Sequence, residues 1–117
     1  MTDYPEFVRA LKKPDLEIIN SLSPGDGDML HMVIGIAGEA GELLDCIKKF
    51  VIYRKPFDRE NAVEEFGDLE FFMEGLRQCL GITREETIEA NRVKLGKRYA
   101  SLTYSDAEAQ RRADKDV

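Results

Sequence analysis

Residues 29–50 read MLHMVIGIAGEAGELLDCIKKF, and their apolar positions recur at intervals of three and four. That spacing places the apolar side chains on one face of a long helix. The basic pair Lys48 and Lys49 falls in the last turn, where positive charge complements the helix dipole. We therefore expect a helix over 29–50, with Asp28 as its N-terminal cap. Its apolar face consists of Met29, Met32, Val33, Ile36, Ala40, Leu43, Leu44 and Ile47.

Two further helices follow, each with a cap that the sequence indicates. Asp58 is placed to cap the first of them, and Gly81 is placed to end it. Its apolar stripe consists of Val63, Phe66, Leu69, Phe72, Met73 and Leu76. Thr83 and Glu86 have the spacing of a capping box, in which each side chain binds the other residue's backbone N–H. The third long helix is therefore expected to begin here and to reach residue 99.

The ends of the chain are expected to form shorter elements. Pro5 suits the first turn of a short helix, and Pro14 prevents that helix from continuing. Polar residues dominate 101–117, which predicts a short helix or a mobile tail. Because no strand-like alternation or internal repeat occurs, we expect a single all-α domain over 1–117, built as an antiparallel bundle of the four-helix type.

The composition is that of a small acidic protein, with 117 residues, 34% of them charged, and a net charge of -6. Binding to a nucleic-acid polymer requires clustered Lys and Arg, so this balance argues against such a partner. No run approaches the roughly 20 apolar residues of a membrane span, and the early acidic residues do not suit a signal peptide. Cys46 and Cys79 lie at apolar positions of predicted helices, so we expect buried, reduced thiols and a cytoplasmic protein.

Two pairs of acids, Glu39 with Glu42 and Glu65 with Asp68, interrupt the apolar faces of the first two long helices. A spacing of three keeps both members of a pair on one side of a helix, and antiparallel helices would bring the two pairs level. Four carboxylates against apolar surface repel one another and lose hydration, so a cation is needed to neutralise them. Oxygen ligands without Cys or His favour a hard divalent ion, Mg²⁺ or Mn²⁺, and such an ion commonly holds phosphate.

The third long helix carries Asn91, Lys94 and Arg98 at intervals of three and four. Lys94 and Arg98 are residues of the type that binds phosphate oxygens, with Asn91 as a neutral hydrogen-bonding neighbour. The alternative interpretation is a solvated basic face that has no ligand.

Three segments resemble the blocks of a known family: residues 35–43 (GIAGEAGEL), 64–68 (EEFGD) and 91–99 (NRVKLGKRY). In order and separation they are similar to the MazG-like all-α nucleoside triphosphate pyrophosphohydrolases. The resemblance implies Mg²⁺-dependent hydrolysis of a nucleoside or deoxynucleoside triphosphate to the monophosphate and pyrophosphate. It also implies a four-helix arrangement assembled as a homodimer or homotetramer.

The resemblance assigns roles to individual residues. It implies metal binding and catalysis by four acids: Glu39, Glu42, Glu65 and Asp68. It implies phosphate contacts by three residues of the third long helix: Asn91, Lys94 and Arg98. Lys48 or Lys49 is a further candidate for phosphate contact, and Glu39 is our choice as acceptor of a proton from the attacking water. His31 is a candidate for contact with the base, and a structural or surface role is its alternative.

Three other functions stay open. Phosphoribosyl-ATP pyrophosphohydrolases and dUTPase-like enzymes share the same arrangement of acids. From a different class, a helical interaction module could use these acids only to bind metal. Release of pyrophosphate from a nucleotide separates the enzymes from the module, and the choice of nucleotide separates the enzymes from one another.

Overall fold

The computed structural model describes residues 3–115, and all regular structure in that part of the chain is helical. The elements are α1 (Tyr4–Leu11), α2 (Asp15–Ser21), α3 (Asp26–Val51), α4 (Arg59–Leu80), α5 (Arg84–Arg98), α6 (Asp106–Arg111) and a 3₁₀ turn at Ala113–Lys115. The all-α prediction is therefore confirmed. The short helix predicted in the tail corresponds to α6, while residues 116–117 lie outside the described part.

The capping residues of α4 and α5 act as the sequence predicts. The Asp58 side chain accepts a hydrogen bond from the backbone N–H of Asn61 at 3.0 Å. Gly81 ends α4 in the left-handed conformation, with φ 68°. At the start of α5, the Thr83 hydroxyl accepts from Glu86 N–H at 3.1 Å and the Glu86 carboxylate accepts from Thr83 N–H at 2.8 Å. These bonds satisfy N–H groups that have no partner inside a helix.

Two helix starts differ from the prediction. The N-cap of α3 is Gly25 with φ 95°, rather than Asp28, because a left-handed glycine turns the chain into the helix earlier. The Asp26 carboxylate also accepts from Ser23 N–H at 2.7 Å, which fixes this entry. The second difference is α2, which the sequence did not indicate. Pro14, expected only to stop α1, is also the N-cap residue of α2.

Helices α3 and α4 form an antiparallel hairpin, whose contact line we call the seam. On α3 the seam contains half-buried or buried residues at a three-four spacing: Met29, Met32, Ile36, Glu39, Leu43 and Cys46. On α4 it contains Ala62, Glu65, Leu69, Phe72 and Leu76. This alternation is the pattern by which two helices interlock their side chains. The two glutamates are therefore at positions where all the other seam residues are apolar.

Two glycines let the helices of the hairpin come close together. A Cβ on Gly35 would overlap the Phe72 ring, and one on Gly75 would overlap the Met32 side chain. At Gly38 and Gly41, in contrast, a Cβ would meet no atom of the described chain. Tight helix packing therefore explains Gly35, but it does not explain Gly38 or Gly41.

Residues 3–115 do not close a bundle by themselves. Helix α5 packs against α6 and the 3₁₀ turn, whereas α3 and α4 pack against each other. The radius of gyration is 20.2 Å, against about 13 Å for a compact domain of this length. Among residues 3–115, Cys46 and Ala62, each 5% exposed, are the only buried apolar residues. Within 3–115 the longest helices therefore form a two-helix hairpin, and the predicted four-helix bundle is not formed by these residues alone.

The two cysteines differ in environment. Both are free thiols, but Cys46 is buried in the seam whereas Cys79 is exposed. The prediction of a buried Cys79 is wrong, because Cys79 lies near the end of α4, where it borders an open cleft with Asp28 and Met32 of α3. None of the helices within 3–115 has both the length and the apolarity needed to cross a bilayer.

Candidate metal centre

Three carboxylates converge at the middle of the seam. Glu39 of α3 and Glu65 and Asp68 of α4 each present an oxygen, and these three oxygens lie within 4.8 Å of one another. Glu39 and Glu65 are half-buried, while Asp68 is exposed at the edge of the seam. We call these three residues the acid cluster. The antiparallel register of the hairpin brings them together, since Gly35 lies level with Phe72 and Met32 level with Gly75.

Glu65 is the most strongly perturbed member of the acid cluster. Its pKa is raised from 4.5 to about 7, first because its protonated carboxyl can hydrogen-bond to Glu39. Desolvation raises the pKa further, and so do the negative charges of Glu39, Glu42 and Asp68. Glu65 Oε2 is shielded from solvent and has no hydrogen-bond donor among residues 3–115. A shielded acceptor without a donor is suited to a cation.

The chemistry of the acid cluster fits a hard divalent ion. All three candidate ligands are carboxylates, the oxygen donors that Mg²⁺ and Mn²⁺ prefer. The Cys46 thiol lies further along the seam, where its Sγ is 3.8 Å from the carbonyl oxygen of Asp58. No sulfur or imidazole belongs to the acid cluster, so its donor set does not resemble that of a structural zinc site.

Glu42, the fourth candidate ligand, is not part of the acid cluster. It is exposed, yet near enough for its charge to contribute to the raised pKa of Glu65. The seam on α3 advances from Glu39 by four residues rather than by three, so Glu42 lies to one side of it. Leu43, one residue later, is the next to enter the seam. Glu42 therefore adds negative potential beside the cluster.

Lys48 and Lys49 converge on Asp45, a residue that the sequence reasoning missed. Their Nζ atoms lie 3.7 Å and 2.9 Å from the Asp45 carboxylate. The hydrogen bond with Lys49 lowers the pKa of Asp45 and raises the pKa of Lys49. Lys48 also lies 5.6 Å from the centre of the Tyr53 ring. The spacing of three and four from Asp45 to the two lysines was the available signal.

His31 lies toward the other end of α3. Its ring centre is 6.0 Å from that of Phe72, in an edge-to-face arrangement, and the residue is exposed. His31 and Glu39 are eight positions apart, which is about 12 Å along the helix axis. In a single chain His31 therefore packs on an aromatic ring of the hairpin beyond the acid cluster.

The three candidate phosphate-binding residues lie on α5, which does not pack along the hairpin. Asn91 lines a cavity of about 390 Å³ together with Tyr99 and Tyr104. Lys94 lines a separate cleft on another side of α5. Arg98 donates a hydrogen bond from Nε to Asp114 Oδ1 at 2.9 Å. Within one chain, therefore, the acid cluster and the cations of α5 belong to different packing units.

The chain was compared with known protein families, with curated proteins and with solved structures, and none of the three comparisons finds a match. The functional interpretation therefore depends on the geometry of the acid cluster and on the resemblance carried by the three sequence segments.

Proposed function

We propose that this protein hydrolyses nucleoside or deoxynucleoside triphosphates to the monophosphate and pyrophosphate, with Mg²⁺ held at the acid cluster. The observation that carries the proposal is the meeting of Glu39, Glu65 and Asp68 within an otherwise apolar seam. A seam that only joined two helices would be more stable with apolar side chains at Glu39 and Glu65. Nucleotide-pool housekeeping in the reducing environment of the cytoplasm is the role that we propose, and the two free thiols fit that compartment.

The proposed chemistry divides between the ion and the side chains. Bound Mg²⁺ supplies neutralisation of phosphate charge and lowers the pKa of a coordinated water. Glu39, Glu65 and Asp68 contribute ligand oxygens, and the charge of Glu42 draws cations toward them. We assign to Glu39 the acceptance of a proton from the attacking water, because it faces the cluster from the opposite helix to Glu65 and Asp68.

Phosphate contacts are proposed for Asn91, Lys94 and Arg98. Because α5 of the same chain packs against α6 and the 3₁₀ turn, we propose that a second copy of the chain brings these side chains toward the acid cluster. Lys48 and Lys49 are alternative sources of positive charge, and their link to Asp45 keeps them at the end of α3.

Association of copies is supported by a second apolar stripe on each helix of the hairpin. On α3 the stripe consists of Leu30, Ile34, Leu44, Ile47 and Val51, and all five are exposed in the single chain. On α4 it includes Val63, Phe66 and Met73, which are also exposed. Large apolar side chains exposed along one side of a helix favour an interface. Two hairpins packed through these stripes would complete a four-helix bundle as a homodimer, and pairing of dimers would give a homotetramer.

A nucleotide panel tests the proposed reaction. The purified protein is incubated with Mg²⁺ and each of the common ribo- and deoxyribonucleoside triphosphates, including dUTP, and with phosphoribosyl-ATP. Products are then separated by ion-exchange chromatography. We expect monophosphate and pyrophosphate in equal amounts from at least one triphosphate. Diphosphate with orthophosphate as the only products would contradict the proposal, and exclusive use of phosphoribosyl-ATP or dUTP would select one of the alternative enzymes.

The packing of the acid cluster and of the α5 cations in different parts of the chain favours one alternative function. In a single chain the acid cluster lies on the hairpin, and the cations of α5 pack elsewhere. This arrangement also suits a helical module that binds a divalent ion without processing phosphate. Mg²⁺ binding measured by calorimetry, together with no hydrolysis anywhere in the panel, would favour the module.

A further inference from the structure

The C-terminal segment folds back on α5 and engages Arg98. Helix α6 and the 3₁₀ turn both pack against α5. Asp114, in the 3₁₀ turn, has a side chain only 2% exposed, and the Arg98 side chain is 18% exposed. Their hydrogen bond lowers the pKa of Asp114 and raises the pKa of Arg98. The contact joins residues 16 positions apart, so it links the terminal segment directly to the last turn of α5.

The docked segment leaves several groups incompletely satisfied. Asp114 Oδ2 and Glu108 Oε2 are shielded from solvent without a hydrogen-bond partner among residues 3–115. Lys115 Nζ approaches Asp114 Oδ2 only to 4.0 Å. Leu102 and Arg112, at the two bends of the segment, have φ of 59° and 54°, a conformation that non-glycine residues seldom adopt. Each of these features weakens docking of the segment on α5. A ligand that binds Arg98 more tightly than Asp114 does can therefore displace the segment.

Phosphate is the chemical class that competes best for Arg98. The Asp114 carboxylate occupies the position on the guanidinium that a phosphate oxygen would take, and a phosphate brings more charge and more acceptor oxygens. Lys94 and Lys97 line the cleft that Asp114 also borders. Three glutamates of the first half of α5 line the same cleft: Glu85, Glu86 and Glu89. Their charge favours a ligand that reaches Arg98 from its own end of α5.

We propose that residues 101–115 are an intramolecular latch, in which Asp114 holds Arg98 until a polyphosphate ligand displaces it. The inference rests on the proposed function, since it assigns Arg98 to phosphate. The latch adds a resting state in which the Asp114 carboxylate, rather than phosphate, is bound to Arg98. Release of the latch exposes Arg98, whose side chain is 18% exposed while the segment is docked.

Two variants act on the latch in opposite directions. Asp114→Asn removes the charge that holds Arg98 while keeping the shape of the side chain. Arg112→Gly removes the energetic cost of holding a non-glycine residue in the left-handed conformation, and so it favours the docked state of the segment. We expect Asp114→Asn to lower KM for the triphosphate about threefold to tenfold and Arg112→Gly to raise it, with kcat changed less than twofold in both. Asp106→Asn is the matched control, because it removes one charge from the same segment at a residue that pairs with Tyr104.

Amide hydrogen exchange provides a readout that needs no turnover. Sodium tripolyphosphate is added to the full chain in EDTA, and exchange is followed by mass spectrometry in peptides covering 102–115. We expect faster exchange there and unchanged exchange in α3 and α4. If these peptides keep the same exchange rate at saturating tripolyphosphate, or if Asp114→Asn does not lower KM, the latch is overturned even when the parent is active. Faster exchange in these peptides, together with no hydrolysis of any triphosphate in the Mg²⁺-containing panel, would support the latch and reject the proposed enzyme.

Discussion

Glu65→Gln in the metal-free protein should change how stability depends on pH. The folded-state pKa of Glu65 is about 7, whereas its ordinary value is 4.5, because Glu39 can accept its proton and neighbouring charges oppose its ionisation. The folded chain therefore binds more protons than the unfolded chain between these values. At pH 6 the difference amounts to about 0.9 of a proton at this one group.

The direction of this pH dependence follows from the linkage between proton binding and folding. A carboxyl whose pKa is raised by folding stabilises the folded state below its unfolded pKa, and this contribution is lost as pH rises through the folded pKa. In EDTA the parent should lose stability from pH 5 to pH 8, with the steepest loss below pH 7. The amide that Glu65→Gln introduces cannot ionise and can donate a hydrogen bond to Glu39. The variant should therefore melt near the parent at pH 5 and clearly above it at pH 8.

Differential scanning calorimetry in EDTA at pH 5, 6, 7 and 8 measures the effect. Glu64→Gln is the control, because it removes the same charge from the preceding, exposed residue outside the acid cluster. It should leave the pH dependence of the parent intact. The electrostatic reasoning would be refuted if the melting temperatures of all three proteins changed with pH in parallel. It would also be refuted if Glu65→Gln melted at a lower temperature than the parent at pH 8. Millimolar Mg²⁺ should then stabilise the parent more than Glu65→Gln, by binding linkage.

Three further predictions concern the ligand set, the packing of the hairpin and its exposed stripe. Glu42→Gln should lower turnover about 10-fold at saturating Mg²⁺, because Glu42 contributes negative charge beside the acid cluster. An unchanged rate would show that Glu42 has no part in the reaction. Gly35→Ala should cost about 1–3 kcal/mol in denaturant unfolding, because its Cβ would overlap the Phe72 ring. Gly67→Ala, where a Cβ meets open space, should instead gain up to about 1 kcal/mol; equal effects would contradict the hairpin packing. Sedimentation of the parent should show a species larger than 13.3 kDa that Leu44→Glu shifts toward the monomer, and a parent that is monomeric at micromolar concentration would oppose association.

Local signals in the sequence were sufficient for much of the fold. The capping box of Thr83 and Glu86 and the positions of Asp58 and Gly81 were readable because each acts within four residues of its own helix end. The start of α3 was misjudged because the left-handed conformation of Gly25 follows from the turn before it. Helix α2 has seven residues, too few for a periodic pattern to stand out.

The candidate site was predictable only in part. Spacing of three within two neighbouring helices anticipated that Glu39, Glu65 and Asp68 would meet. Spacing alone could not separate Glu42 from them, because the rotation of a helix relative to its partner decides which residue enters the seam. The pairing of Arg98 with Asp114 was not predictable, since it depends on how a short terminal segment docks.

Pyrophosphate release as a function of Mg²⁺ concentration tests the central claim most directly. The parent, Asp68→Asn and the control Glu64→Gln are compared at a fixed concentration of the triphosphate that the panel identifies. We predict that the parent releases pyrophosphate with saturable dependence on Mg²⁺ and stops in EDTA. Asp68→Asn should be slower by about 100-fold, and Glu64→Gln should match the parent. Equal rates for the parent and Asp68→Asn, or pyrophosphate release that persists in EDTA, would contradict the assignment of the acid cluster as the metal centre of the reaction.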